Sequence, residues 1–264
     1  MAENAFDLCV CPLCKGTLKR QGQTMSCTAC DLHYPFMRGI PDFLPPYGET
    51  IPILRHVGKI GKIALVYERI WYPIFLNMVG GWHTCKLRDI VAYVREKMST
   101  VKGLVLDVAT GTGTYGRRVA GAERIVYGID LSIDMMRVGQ VHVRREGVRN
   151  MQFLRSDVER LPFSDSLFDG CLLCGSLHLF PDTIKALTEI GRTMKTGAPL
   201  AVFTLALNGR GILKYEGMRA LFGQRVGLKV FDLPTLEKLA EKAGFEKFEP
   251  LLKGAILLFT ARKA

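Results

Sequence analysis

Short apolar runs alternate with amphipathic stretches over residues 101–264. Apolar runs bounded by turn residues are typical of strands, whereas apolar positions three or four residues apart are typical of helices. The runs predict seven strands, at 103–109, 123–130, 151–156, 168–175, 198–206, 245–252 and 255–262. The stretches between them predict helices at 114–121, 132–146, 182–195, 209–222 and 233–243.

This alternation predicts an α/β fold, a Rossmann-like seven-stranded sheet with helices on both faces. The last two strands leave no room for a helix between them, so we expect an antiparallel C-terminal hairpin. Asp182 and Asp232 each precede a predicted helix as candidate N-caps, and Gly244 follows one helix where a left-handed residue is favoured.

Changes in composition divide the chain into three predicted parts. Residues 1–47 are rich in cysteine and end in a proline-rich linker. Residues 48–100 are basic and apolar with helical spacing, which predicts a helical linker or lid. Residues 101–264 hold the sheet, and within them 207–231 is predicted to be a lid insertion with a basic rim.

Five of the eight cysteines lie within the first thirty residues. Cys11-x-x-Cys14 and Cys27-x-x-Cys30 are separated by twelve residues, a spacing typical of a tetrahedral zinc site. Four thiolates leave no open position on the metal, so we predict a structural Zn²⁺ that stabilises a small zinc ribbon. Cys171 and Cys174 share the spacing, but inside a predicted strand their side chains point to opposite faces and predict no metal.

The chain is basic, with 36 Lys and Arg against 25 Asp and Glu and a net charge of +11. Nucleic acid, an anionic membrane surface and acidic small molecules are all candidate partners, and a solvated basic surface on an enzyme explains the charge equally well. The first residues lack the basic and apolar segments of a signal peptide, and no uncharged run has the character of a bilayer span. We therefore expect a cytoplasmic protein, with peripheral membrane contact as an alternative.

Three predicted strands end in or before an aspartate: Asp107 before a Gly111-Thr112-Gly113 turn, Asp130, and Asp157. Ligands of open sheets bind outside the carboxyl ends of the strands. The Gly-x-Gly-x-x-Gly turn alone is typical of a dinucleotide site. However, Asp107 is a poor neighbour for a pyrophosphate and a good one for a ligand with an ammonium and a sulfonium. Asp130 is placed for two ribose hydroxyls, and Asp157 for the exocyclic amine of adenine.

Five stretches carry a family pattern: 107–113, 128–136, 157–163, 166–169 and 194–197. Together they resemble class I S-adenosylmethionine-dependent methyltransferases, and more closely the subgroup of ubiquinone and menaquinone biosynthesis. The resemblance implies S-adenosyl-L-methionine as cofactor, with contacts from Asp107, Ala109, Gly111, Gly113, Asp130, Leu131, Met135, Asp157 and Val158. Ala109 departs from the family because many members have glycine there, and Thr196-Gly197-Ala198 replaces Pro-Gly-Gly.

The segment 30–41 resembles small zinc-ribbon proteins that partner some tRNA and translation-factor methyltransferases, and similar ribbons precede an rRNA guanine methyltransferase. The same layout occurs in uncharacterised chloroplast methyltransferases of plants. These are similar to this chain around 67–71, 175–178 and the C-terminal hairpin as well, so the match extends over the full length.

Methyl transfer requires mainly in-line alignment and exclusion of water, and a base helps with phenols and acidic carbons. His178, just past the fourth predicted strand, is the candidate base, although a lone histidine there has a structural interpretation too. The resemblance to other members with N-terminal tyrosines implies that Tyr67 closes over the methionine end of the cofactor. Aromatic and methionine residues in both lid segments suit a flat or lipidic acceptor, and they equally suit packing against the sheet.

Three hypotheses follow. The first is a methyltransferase acting on a small hydrophobic acceptor, such as a quinone or isoprenoid. The second is an rRNA or tRNA methyltransferase whose ribbon and basic surface bind RNA. The third is a partner-binding module that keeps the fold without catalysis.

Overall fold

The computed structural model describes residues 6–44, 70, 72–80, 85–207, 215–217 and 229–264. Four short strands near the N-terminus form an antiparallel sheet in the order β1-β2-β3-β4. They are β1 (Leu18–Gln21), β2 (Thr24–Cys27), β3 (His33–Met37) and β4 (Ile40–Pro41). One Cys-x-x-Cys turn precedes β1 and the other begins at the last residue of β2, which is the ribbon arrangement that the spacing predicts.

The large sheet has seven strands in the order β10-β11-β9-β8-β5-β6-β7. Their bounds are β5 (Gly103–Val108), β6 (Arg124–Asp130), β7 (Met151–Arg155), β8 (Gly170–Cys174), β9 (Pro199–Leu205), β10 (Phe245–Lys253) and β11 (Ile256–Lys263). Strands β5 to β9 are parallel, and β11 runs antiparallel to both β9 and β10. The predicted Rossmann-like sheet with a C-terminal hairpin is confirmed.

The order of the strands determines where a ligand can bind. From β5 the chain proceeds outward to β6 and β7, then returns to place β8 on the other side of β5. The loops after β5 and β8 therefore diverge and leave a crevice at the carboxyl ends of these two strands.

The helices are α1 (Tyr72–Gly80), α2 (Leu87–Lys97), α3 (Gly116–Val119), α4 (Ile133–Arg145), α5 (Thr183–Thr193) and α6 (Leu233–Lys242). The predicted caps are confirmed, because Asp182 accepts from Lys185 N at 2.9 Å and Asp232 accepts from Thr235 N at 2.8 Å. Gly244, after α6, has the expected left-handed φ of 82°.

The predicted helices at 132–146, 182–195 and 233–243 are each shorter by one to three residues, and the helix predicted at 114–121 is half its predicted length. Helix α3 covers 116–119 rather than 114–121, because Gly113 is left-handed with φ 75° and Ala120 is extended with ψ 140°. The predicted helix at 209–222 and Tyr67 lie outside the described residues, apart from 215–217. The limits of the three predicted parts remain predictions.

The large sheet separates two apolar clusters, because successive strand residues point to opposite faces. On one face, α2, α3 and α4 cover residues such as Val105, Val126 and Leu172. On the other, α5 and α6 cover Leu106, Ile129 and their neighbours. Cys171 and Cys174 fall in different clusters, as predicted for their spacing within a strand.

The ribbon packs against the second of these faces and against the β7 edge of the sheet. Buried ribbon residues, including Met25, Tyr34 and Phe43, belong to the same cluster as Phe163 and Phe168. Asp42 forms a parallel β-bridge with Arg155 of β7, and Phe43 N donates a hydrogen bond to Arg155 O at 2.8 Å. The segment after β4 thus pairs with a strand edge that would otherwise expose its backbone groups.

None of the helices within the described ranges is long and apolar enough to cross a membrane. On α1, Ile74 and Met78 are exposed four residues apart, so these apolar side chains lie along one side of the helix; Ile70, two residues before α1, is exposed as well.

Candidate functional site

The loop after β5 is organised by Asp107, which is only 1% exposed. Its Oδ2 accepts a hydrogen bond from Thr110 Oγ1 at 2.5 Å and another from Gly116 N at 3.1 Å. A Cβ at Gly116 would lie 2.6 Å from this same oxygen, so glycine is required there. The carboxylate therefore binds both ends of the glycine turn and determines its path.

Three positions in this turn are left-handed: Ala109 with φ 51°, Gly111 with φ 55° and Gly113 with φ 75°. Glycine adopts this conformation freely, whereas an L side chain is strained in it. A Cβ at Gly113 would lie 3.0 Å from Met151 Cε, which adds a packing reason for glycine. Ala109, where the family resemblance leads us to expect glycine, is strained in this structure.

Asp130 ends β6 and reaches the same turn. Its Oδ2 accepts from Gly111 N at 2.8 Å, and its Oδ1 accepts from Ser132 N at 2.7 Å. Each carboxylate oxygen has a second lone pair. The geometry thus leaves Asp130 acceptor capacity with which neighbouring hydroxyls of a ligand can pair.

The other predicted cofactor residues lie at the same edge of the sheet. Leu131 follows Asp130 directly, and Met135 is buried in the first turn of α4, with its Cε 3.3 Å from where a Cβ of Gly111 would be. Asp157 and Val158 follow β7 and are half-buried, and Asp157 Oδ1 accepts from Glu159 N at 3.0 Å.

Burial dominates the electrostatics of all three aspartates. It raises the pKa of Asp107 to about 7, a rise strengthened by the nearby charge of Asp130 and reduced by the bonds from Thr110 and Gly116. Burial also raises the pKa of Asp130 and of Asp157, whereas hydrogen bonds from backbone N–H groups to these carboxylates lower it. A cationic ligand beside Asp107 favours its ionised form.

The crevice between β5 and β8 contains a pair of tyrosines whose contact the sequence did not predict. Tyr72 of α1 and Tyr115 of the glycine turn are both buried, and their hydroxyl oxygens are 2.5 Å apart. Tyr72 Oη is also 3.4 Å from where a Cβ of Gly175 would be, just after β8. Tyr115 stands inside the Gly-x-Gly-x-x-Gly motif, but nothing in the sequence links it to Tyr72.

Ser176, which follows Gly175, is 6% exposed. Among the described residues, its Oγ is one of three buried polar side-chain atoms without a hydrogen-bond partner. Buried hydroxyls are normally paired. This one therefore provides an available donor and acceptor just beyond the carboxyl end of β8.

His178 lies in a short 3₁₀ turn, Leu177–Leu179, and is 2% exposed. Its Nδ1 is 3.4 Å from Thr204 Oγ1, and burial lowers its pKa to about 4. The imidazole is neutral at pH 7 and is a weak base there. Its catalytic role remains a prediction, and these surroundings favour a role in positioning the turn.

The four ribbon cysteines come together as predicted. The ligand atoms of Cys11, Cys14, Cys27 and Cys30 all lie within 4.8 Å of one another. Three Sγ–Sγ distances are 3.4, 3.5 and 3.6 Å, close to the ~3.8 Å edge of a tetrahedron with Zn–S bonds of about 2.3 Å. A Cβ at Gly16 would lie 3.2 Å from two of these sulfurs, so the turn leaves room for them. The cluster therefore fits a structural zinc ion.

The surroundings of Cys11 favour the thiolate that a metal requires. Its Sγ is 3.1 Å from the hydroxyl of Tyr34. Burial opposes ionisation of Cys11, but hydrogen bonds from backbone N–H groups and from Tyr34 lower its pKa to about 7.

Two family descriptions match this chain. The family described as "Methyltransferase domain" matches residues 105–197, and the family described as "Trm112p-like protein" matches residues 6–37. The first match runs from within β5 to the loop before β9, and the second covers the cysteine cluster. Together they coincide with the two sites described above.

Two relatives extend these matches. A demethylmenaquinone methyltransferase of Porphyromonas gingivalis is 31% identical over 172 residues, which is 63% of this chain and 67% of the relative. An uncharacterised chloroplastic methyltransferase of Arabidopsis thaliana is 24% identical over an alignment of 282 positions, gaps included, and the match covers 96% of this chain and 77% of the relative.

Among solved structures, phosphoethanolamine N-methyltransferase 2 of Haemonchus contortus in complex with S-adenosyl-L-methionine has a TM-score of 0.65. Its sequence is 18% identical, and the match covers 88% of this chain and 62% of that chain. The similarity supports the fold.

We expect Ala109→Gly to raise the free energy of unfolding by about 1 kcal/mol, because glycine relieves the left-handed strain. Urea denaturation of both proteins measures the difference. The matched control is Ala120→Gly at an ordinary φ of −54°, which should lower the free energy of unfolding. A loss of stability in Ala109→Gly would contradict the strain argument.

We expect the purified chain to contain one zinc ion, and Cys14→Ser to lose it, because a hydroxyl is a poor zinc ligand. Metal content by mass spectrometry measures this. Cys9→Ala is the control: Cys9 is buried beside Phe163, outside the cluster, so its loss should leave the zinc in place. Full zinc content in Cys14→Ser would show that the cluster is not the metal site.

Proposed function

Because this chain belongs to the S-adenosylmethionine-dependent methyltransferases, we propose that it methylates a small, hydrophobic, quinone-like acceptor in the crevice between β5 and β8. The observation that carries the proposal is the 31% identity to a demethylmenaquinone methyltransferase over 172 residues. The apolar surroundings of the crevice support it, since Phe203 lies within 3.5 Å of the Cβ position of Gly175.

The residues at the strand ends are assigned to the cofactor. Asp130 pairs with the ribose hydroxyls through its remaining lone pairs, and Leu131 and Met135 flank the nucleoside. Asp157 and Val158 contact the adenine, and the turn 109–113 allows close approach of the backbone. Asp107 provides negative charge next to the cationic end of the ligand.

When bound, S-adenosylmethionine would supply an electrophilic methyl group to a nucleophilic carbon or oxygen of the acceptor. The protein has to align the acceptor and exclude water. Helix α1 covers the crevice, and its Tyr72 contacts the glycine turn through Tyr115. These contacts favour α1 as the wall that excludes solvent from the methyl group.

The unpaired hydroxyl of Ser176, together with the mutually bonded hydroxyls of Tyr72 and Tyr115, forms a polar set that can orient a polar atom of the acceptor. A few polar groups in an apolar crevice are typical of sites for small ligands. A hydroquinone oxygen suits such a set, because it can both donate and accept. The acceptor oxygen then fixes the orientation of the ring against the methyl group.

Other expectations are supported less. One of the relatives described above is named for demethylmenaquinone and neither is named for RNA, so the RNA alternative gains no support from them. Membrane contact remains a prediction, favoured by the exposed side chains of Ile70, Ile74 and Met78. A cytoplasmic location also remains a prediction. The relative from Arabidopsis thaliana is described as chloroplastic.

We expect affinity for S-adenosylmethionine to fall as the pH is lowered from 7.5 to 5.5, because protonation of Asp107 removes its attraction for a cation. With a pKa of about 7, the loss is on the order of 20-fold. Calorimetric titration across this range measures it. Asp107→Asn should bind weakly at pH 7.5 with a flatter profile, whereas an unchanged profile would assign the pH dependence to another group.

The acceptor is tested with S-adenosylmethionine labelled in the methyl group. We expect label to enter demethylmenaquinol and not total RNA. Tyr72→Phe should lower kcat by about 3- to 10-fold with little change in KM for the cofactor, as expected for one lost hydrogen bond to the acceptor. Tyr127→Phe, on the opposite face of the sheet, is the control and should keep its activity. Label in RNA alone would overturn the proposal.

A further inference from the structure

Arg155 occupies a position that neither zinc binding nor methyl transfer explains directly. It is the last residue of β7 and lies opposite Asp130 in the pairing of β6 with β7. The next residue continues this contact, since Ser156 N donates to Asp130 O at 3.2 Å. The backbone of Arg155 is therefore adjacent to the carboxylate assigned to the ribose.

The side chain of Arg155 joins two parts of the chain. Its Nε donates to Leu131 O at 2.9 Å, and its Nη1 donates to Asp42 Oδ2 at 2.7 Å. The side chains of Arg155 and Asp42 are 20% and 9% exposed, so the ion pair is largely shielded from water. Charge-assisted hydrogen bonds of this kind are short and directional.

Asp42 is itself held in place by the ribbon. Its backbone N donates to Pro35 O at 2.8 Å, and the next residue, Phe43, has its ring centroid 5.3 Å from that of Tyr34. Tyr34 in turn contacts the cysteine cluster through Cys11. Packed contacts thus connect the metal cluster with Leu131.

The charge of Arg155 also acts on Asp130. Burial raises the pKa of Asp130, and the guanidinium of Arg155 is among the groups that oppose this rise. A carboxylate that stays ionised is the stronger acceptor for ribose hydroxyls. Arg155 therefore supports both the position of Leu131 and the charge of its neighbour.

We propose that Arg155 is a positioning residue for the cofactor: held by Asp42 of the zinc ribbon, it fixes Leu131 and supports Asp130, so that the ribbon determines affinity for S-adenosylmethionine. The inference rests on the cofactor roles proposed above for Asp130 and Leu131. The competing explanation is that the ion pair only attaches the ribbon to the sheet.

A second contact between ribbon and sheet provides a matched control. Lys15 Nζ donates to Leu161 O at 2.9 Å and lies 3.4 Å from Glu189 Oε1. This contact attaches the ribbon to the rest of the chain without involving Asp130 or Leu131. Its removal should therefore affect stability without affecting the cofactor.

The experiment compares Arg155→Met, Arg155→Lys, Asp42→Asn and Lys15→Met in the full chain. Calorimetry measures Kd for S-adenosylmethionine, with zinc content and the thermal midpoint recorded for each. We expect Arg155→Met and Asp42→Asn to raise Kd about 10-fold with zinc retained. Arg155→Lys should recover part of this loss, because an ammonium keeps the charge but lacks the planar fork.

Lys15→Met should leave Kd for S-adenosylmethionine within about twofold of the wild-type value, even if the thermal midpoint of this variant falls. Wild-type Kd in both Arg155→Met and Asp42→Asn would overturn the inference. Asp42→Asn is nearly isosteric and provides the test if Arg155→Met does not fold. Asp130→Ala separates the premise from the inference. A wild-type Kd in that variant would refute the cofactor assignment itself. Weak binding in Asp130→Ala, together with a wild-type Kd in the Arg155 variants, would refute only the role of Arg155.

Discussion

The candidate site depends on the pairing of buried carboxylates with the backbone N–H groups of the turns beside them. Burial alone favours the neutral acid, and it raises the pKa of Asp107 and Asp130. Hydrogen bonds from Gly116, Gly111 and Ser132 oppose that effect and at the same time determine the path of each turn. The groups that we propose to meet a cationic nucleoside are thus the groups that shape the loop around it.

This arrangement places functional demands on residues that would otherwise be free to vary. Gly113 and Gly116 have no space for a Cβ, and Gly111 and Gly113 are left-handed. Ala109 accepts the same conformation at a cost in strain, which is common at functional sites. The fold tolerates this cost because the surrounding strands are buried on both faces.

The ribbon is integrated into the structure rather than appended to it. A segment of about forty residues cannot build a sufficient core of its own, and here its buried residues share a cluster with the large sheet. It also covers the open edge of β7 through Asp42 and Phe43. The cysteine cluster and the proposed cofactor site, which are distant in sequence, thereby become neighbours through one strand.

The sequence by itself determined the strands, the C-terminal hairpin, the caps at Asp182 and Asp232, the cysteine cluster and the family, because these depend on local spacing and on short motifs. It did not predict where α3 begins and ends, which depends on the conformations of Gly113 before the helix and Ala120 after it. Only the tertiary structure brought Tyr72 to Tyr115 and Asp42 to Arg155, pairs separated by 43 and 113 residues. The order of strands in a sheet decides such contacts, and periodicity along one chain carries no information about which distant side chains will share an edge.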